Sequence, residues 1–234
     1  MDFSVLWKEF VRQLITNRGY KEVLKGLLAT AEIAVFGLLI GIVIGTLIGV
    51  VRVMPKYKRL PRILDKICVC YLELFRGTPI VVQLLIGYWV LLPALSITVS
   101  SPVTVAVIVF GLNSGAYVSE IMRSGINSVD PGQLEAARAV GLPYPIAMIK
   151  IVVPQAIKNI LPTLGNEFIV LIKETSVVSF IAVTDLCKSF KQLGVPKQNY
   201  IVPYLMLALT YLVLVLIISF GVRMLEKKLK KNER

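Results

Sequence analysis

Glu167 is the residue around which chemistry is first sought in this sequence. It lies within the stretch from Ile157 to Asp185, which is apolar apart from Lys158, Glu167, Lys173 and Glu174. Ionisable groups inside a membrane span are costly and serve function by default. At a rise of about 1.5 Å per residue, Glu167 stands near mid-depth of such a span, where it can accept an ammonium or guanidinium group. Asn166 beside it points about 100° away around the helix and can bond a neighbouring helix instead. Gln83, Phe110 and Asn113 fall at similar depth in other apolar stretches and complete a candidate binding set. Glu73, Arg76, Lys173 and Glu174 have a structural alternative: pairing with one another or capping broken helix ends.

Other chemistries find no residues here. The chain has no histidine and three cysteines, Cys68, Cys70 and Cys187, two of them inside an apolar run, so neither a metal site nor a disulfide framework is expected. There is no nucleophile motif and no cluster of carboxylates. The phosphate-binding pattern G-x-x-x-x-G-K-[ST] is missing as well, so any ATP-driven process needs a partner chain to hold ATP and Mg. The formal charge of +12 lies beside apolar stretches, which favours a membrane surface and argues against nucleic acid.

The elements that must position Glu167 are membrane helices. Hydrophobic residues make up 56% and charged residues 17% of the 234, and the mean hydropathy is +0.76. Residues 1–25 are too charged for a cleaved leader, and Phe3, Leu6, Trp7, Phe10, Val11 and Leu14 predict an amphipathic helix lying in the membrane interface. A first span runs from Ile33 to Val51, with Gly37, Gly41, Gly45 and Gly49 forming one ridge for close helix contact. A basic loop follows, with Arg52, Lys56, Lys58, Arg59, Arg62 and Lys66 against Asp65.

The 43 uncharged residues from Gly77 to Ser119 are too many for one span. Pro93 and the Ser100–Ser101–Pro102 cluster divide them. A second helix starts before Gly77 and runs to about Leu92, and a third runs from about Val103 to Met122. The fourth span contains Glu167 and is interrupted near Lys173–Ser176. The fifth runs from Gln198 to Val222 and ends in a basic tail reaching Arg234. With the basic loop inside, five spans put the amino terminus outside and the tail in the cytoplasm. Basic residues then number 15 inside and 8 outside.

Between the third and fourth spans lies a helix of another kind. Asp130 can cap it, Pro131 suits its first position, Gln133 stands where a capping box places Glu or Gln, and Gly141 with Pro143 ends it. Glu135, Ala136, Ala137, Arg138, Ala139, Val140 and Gly141, then nine residues, then Ile151-Val152-Val153-Pro154, resemble the EAA loop of ABC importer permeases. Val153 replaces the usual leucine. Phe75-Arg76-Gly77-Thr78-Pro79 resembles a signature of the polar amino-acid branch, and Asn166-Glu167 with Lys173-Glu174-Thr175-Ser176 is similar to that branch's fourth-span pattern.

The resemblance implies an all-α integral membrane subunit with five transmembrane helices and a cytoplasmic coupling helix between the third and fourth. Residues 1–24 would be an amphipathic segment, 25–226 the permease domain with its EAA loop at 130–154, and 227–234 a basic tail. Two such subunits, by default two copies of this chain, would pair in a prokaryotic cell (inner) membrane. They would bind two ATP-binding cassette subunits through Gln133, Glu135, Ala136, Ala137, Arg138, Gly141 and Pro154. An extracytoplasmic binding protein would deliver a polar amino acid, cationic by the choice of Glu167. The competing class is a self-sufficient secondary transporter or channel, against which the lack of an internal repeat counts.

Overall fold

The computed structural model describes residues 3–57 and 59–231; Lys58 of the basic segment and Arg234 of the tail lie outside the described residues. Every regular element among them is helical. In chain order these are α1 (Phe3–Val11), α2 (Gly19–Val53), α3 (Arg59–Gly77), α4 (Ile80–Leu85), α5 (Leu92–Ala94) and α6 (Pro102–Asn127). Then come α7 (Pro131–Ala139), α8 (Tyr144–Ala147), α9 (Val153–Glu174), α10 (Leu186–Gly194) and α11 (Ile201–Lys231). A π-helical turn at Ile86–Leu91 joins α4 to α5, and another at Met148–Val152 joins α8 to α9.

Among the described residues three helices are long and apolar enough to cross a membrane: α2, α6 and Ile201–Leu229 of α11. Arg59–Gly77 with Ile80–Ala94 makes a fourth if that broken pair is one span. The second span is therefore not the continuous helix expected. Pro79 (φ −63°, ψ 140°) has no N–H to donate and turns Thr78 away from helical geometry. Thr78 Oγ1 donates to Leu74 O at 2.8 Å, and Val82 N and Gln83 N restart the ladder on Pro79 O. The basic segment is also mostly helix rather than loop. α3 starts at Arg59, with Pro61 in its first turn, where a missing N–H costs nothing. The helix around Glu167, α9, is not among the three; Lys158, Glu167, Lys173 and Glu174 all lie on it. Its expected interruption is present. α9 stops at Glu174, Thr175–Ile181 is a 3-10 turn, and Ala182 (φ 65°) reverses the chain.

The helices fall into two units. One comprises Met1–Gly37, Pro79–Phe110 and Val170–Ile217. One core cluster in it is Phe10, Leu186, Phe190, Leu193 and Val202, with Leu6, Val11 and Leu14 packed against them. The apolar face of α1 is thus engaged by protein, with Phe10 buried, while Trp7 and Val5 stay exposed. Asp185 caps α10 by accepting from Cys187 N and Lys188 N, both at 3.0 Å. Thr30 Oγ1 accepts from Leu186 N at 3.2 Å, and Ser189 Oγ donates to Glu22 O at 2.9 Å, tying α10 to α2.

The other unit comprises Leu38–Thr78, Gly111–Ile169 and the chain from Ile218 onward. Its centre is the crossing of α2 and α6. A Cβ on Gly45 would stand 2.6 Å from Val118, one on Gly41 2.7 Å from Ser114 Oγ, and one on Gly49 2.8 Å from Met122 Cβ. α6 answers with Gly111 against Ile40 and Gly115 against Ile44. Small residues on both helices let the backbones approach closely. The ridge expected on α2 is therefore a packing surface, and its counterpart Gly111-x-x-x-Gly115 lies on α6. Val118, Ala156, Ile160 and Leu164 form the cluster that fixes α9 to α6.

Candidate coupling helix and intramembrane polar site

The helix α7 begins and ends where its sequence says. Asp130 Oδ1 accepts from Gly132 N at 2.8 Å, and Gln133 N donates to Asp130 O at 3.0 Å. At the other end Gly141 takes φ +88°. Its N–H donates to Arg138 O at 3.0 Å, and Leu142 N donates to Ala137 O at 3.1 Å, the paired bonds of a Schellman stop. The guanidinium of Arg138 adds a bond to Leu142 O at 2.9 Å.

This nine-residue helix presents Gln133, Glu135, Ala136 and Arg138 outward, with Val140, Gly141 and Pro154 beyond it also exposed. Ala137 is different: it is buried, so it seats α7 on its own subunit. Under α7 is a recess of about 370 Å³ lined by Val53, Ile126, Leu134, Tyr144 and Met148. The Tyr144 hydroxyl donates to Val53 O at 3.4 Å. Burial, and then the neighbouring Tyr57, raise the Tyr144 phenol above its ordinary value.

Glu167 is buried on α9 and accepts a hydrogen bond from Ser114 Oγ at 3.0 Å. Asn113, next to Ser114 on α6, is buried and donates to Phe75 O at 3.2 Å. Tyr71 donates its hydroxyl to Leu112 O. Glu167 and Ser114 are thus brought together, while Asn113, one residue before Ser114, turns its amide to α3 within the same unit. Asn166 is exposed, on another side of α9. Phe110, fully buried, and Gln83, half-buried, belong to the first unit.

Ser114 was missed by sequence reasoning, although the polar doublet Asn113-Ser114 inside an apolar helix was a signal for it. A second network was missed too. Arg52 pairs with Glu120 and lies 3.7 Å from Asp65; Arg123 reaches Glu120 at 2.7 Å, and Lys56 reaches Asp65 at 2.6 Å. Arg76 instead lies over the Tyr117 ring, 5.7 Å from its centroid. Among the described residues no group of three or more His, Cys, Asp or Glu side chains is disposed to hold a metal ion.

The family described as "Binding-protein-dependent transport system inner membrane component" matches residues 37–231. The chain belongs to this family. It is a permease subunit of an ABC importer, an inner-membrane multi-pass protein and not itself an ATPase. The permease is 40% identical over 216 residues to a putative glutamine transport system permease protein of Rickettsia typhi, covering 90% of this chain and 94% of the relative. It is 40% identical over 211 residues to the arginine transport system permease protein of Bacillus subtilis, again covering 90% and 94%. The glutamine permease of Escherichia coli K12 is 34% identical over 207 residues, covering 88% and 92%. Among solved structures, a chain of an amino acid ABC transporter crystallised with histidines superposes with a TM-score of 0.83 at 35% identity, covering 92% of this chain and 97% of that one. A methionine ABC transporter in an inward-facing conformation matches at TM-score 0.67 and 17% identity, covering 98% and 99%, a likeness of fold alone.

Proposed function

We propose that this permease imports polar amino acids, cationic ones foremost, by alternating access driven by separate ATPase subunits. The observation that carries the reading is α7: a short, capped, exposed helix bearing the EAA pattern, in a chain with no ATP-binding motif of its own. Relatives named for arginine and for glutamine transport support the substrate class. A buried carboxylate suits either, since it accepts from an ammonium, a guanidinium or an amide N–H.

In this reading five spans cross the membrane, with the amino terminus outside and the basic tail inside; the fourth of them is α9, whose charges serve transport. Residues 25–226 make up the permease domain, 1–24 precede it, and 227–234 are a cytoplasmic tail. Two copies of the chain pair, two ATPase subunits dock and hold ATP and Mg, and an extracytoplasmic binding protein delivers the substrate. Gln133, Glu135, Ala136, Arg138, Gly141 and Pro154 meet the ATPase, and Ala137 holds α7 for that contact. Glu167 receives the cationic group of the substrate, while Asn113, Asn166, Phe110 and Gln83 complete the path.

The test is uptake of radiolabelled arginine and glutamine by vesicles holding this chain, its ATPase and its binding protein. ATP-dependent uptake competed by one of the two is expected. Uptake without the ATPase would point to the self-sufficient transporter instead.

A further inference from the structure

Four side chains serve two hollows where α2 and α6 end. Val53, Ile126, Tyr144 and Met148 line the recess under α7, and the same four line a separate apolar groove of about 410 Å³ together with Pro61 and Ile149. An open apolar groove in water is a liability. This one lies at the last turns of two helices able to cross a membrane, the level at which hydrocarbon gives way to headgroups.

Cations interleave its lining in sequence: Lys56 before Tyr57, Arg59 and Arg62 around Pro61, and Lys150 after Ile149. Lys56 is held by Asp65, and Arg62 Nη2 donates to Lys56 O at 3.4 Å. Arg59 and Lys150 are exposed, and among the described residues neither makes an ion pair. Basic recesses between helices on the cytoplasmic side suit anionic headgroups.

The geometry points to a resident anionic phospholipid here, an acyl chain in the groove and its phosphate on Arg59 and Lys150. This rests on the membrane orientation proposed above and adds a place for lipid in coupling. Because the groove and the recess under α7 share a wall, an acyl chain in one braces the seat of the other. Lipid fits better than a protein partner because the lining is almost wholly apolar and the charges beside it that make no ion pair among the described residues, Arg59 and Lys150, are both cations.

The test uses the permease–ATPase complex in nanodiscs of phosphatidylcholine, with and without phosphatidylglycerol, and a benzophenone side chain at Met148. Phosphatidylglycerol is captured in preference to phosphatidylcholine, and Arg59→Gln with Lys150→Gln lowers that capture severalfold. Equal capture of both lipids, capture unchanged in the double variant, or no adduct overturns the proposal, and an ATPase adduct makes the groove a protein contact. Both substituted residues are exposed, and monodisperse elution of the double variant checks its fold. Labelling of single cysteines from each side of the membrane reads the orientation separately, so its failure is distinguishable from failure of the lipid site.

Discussion

At Gly141 the backbone is left-handed and a Cβ would meet no atom within 4 Å, so conformation alone decides what the position tolerates. Alanine there costs about 1–2 kcal/mol, whereas asparagine, which enters this region more readily, costs less. Gly141→Ala is therefore expected to weaken ATPase co-purification and ATP-driven uptake, with Gly141→Asn falling between it and the parent. Equal behaviour of the two variants would show that the helix stop is not what the partner reads. The residue was legible because glycine followed by proline is a local signal. The partner of Glu167 was not, since Ser114 lies 53 positions away and register between spans is set by packing. Glu167→Gln keeps an acceptor for Ser114 but removes the charge. A charge-assisted bond contributes about 1.5–3 kcal/mol, so arginine uptake should need at least about tenfold more substrate for half-saturation. The assembled complex should persist, as gel filtration would report; unchanged uptake would remove Glu167 from the path.

Helices touch here through what they lack. Gly45→Val would drive a Cβ and two methyls into Val118, and overpacking of a tight contact costs about 1–3 kcal/mol. Its midpoint of thermal aggregation in detergent should fall, whereas Gly77→Ala, with open space around it, should leave the midpoint unchanged or raise it. If Gly45→Val melts with the parent, the contact between α2 and α6 is looser than described. The ridge on α2 was readable because four glycines recur at one spacing. The start of α3 was not: charge argued for a loop, yet Pro61 in a first turn and apolar residues at helical spacing favoured a helix. The break at Pro79 has a plain local cause, but a proline inside an apolar run reads equally well as a kink.

At the scale of the molecule, the all-helical membrane class followed directly from composition, while the number of crossings did not. α9 does not pass as a span by hydropathy because it carries Lys158, Glu167, Lys173 and Glu174, although Leu164, Ile169, Leu171 and Ile172 are buried along with Glu167. Orientation can be read by membrane-impermeant thiol labelling in a variant without Cys68, Cys70 and Cys187. A cysteine at Gln133 is expected to react only in inside-out vesicles and one at Asn199 only in right-side-out ones. Reaction of both from the same side would exclude the five-span arrangement.

The helical run from Tyr144 through the π-turn to Glu167 has no interruption, although Pro154 and Pro162 lie within it. The π-turn admits Pro154 without breaking the run, because its wider spacing spares the clash with the preceding turn. At about 1.5 Å per residue the segment rises about 35 Å along its path from the neighbourhood of α7 to Glu167. In the reading proposed above, a push received at α7 therefore travels to the level of the Ser114–Glu167 hydrogen bond through continuous helix rather than through a loop.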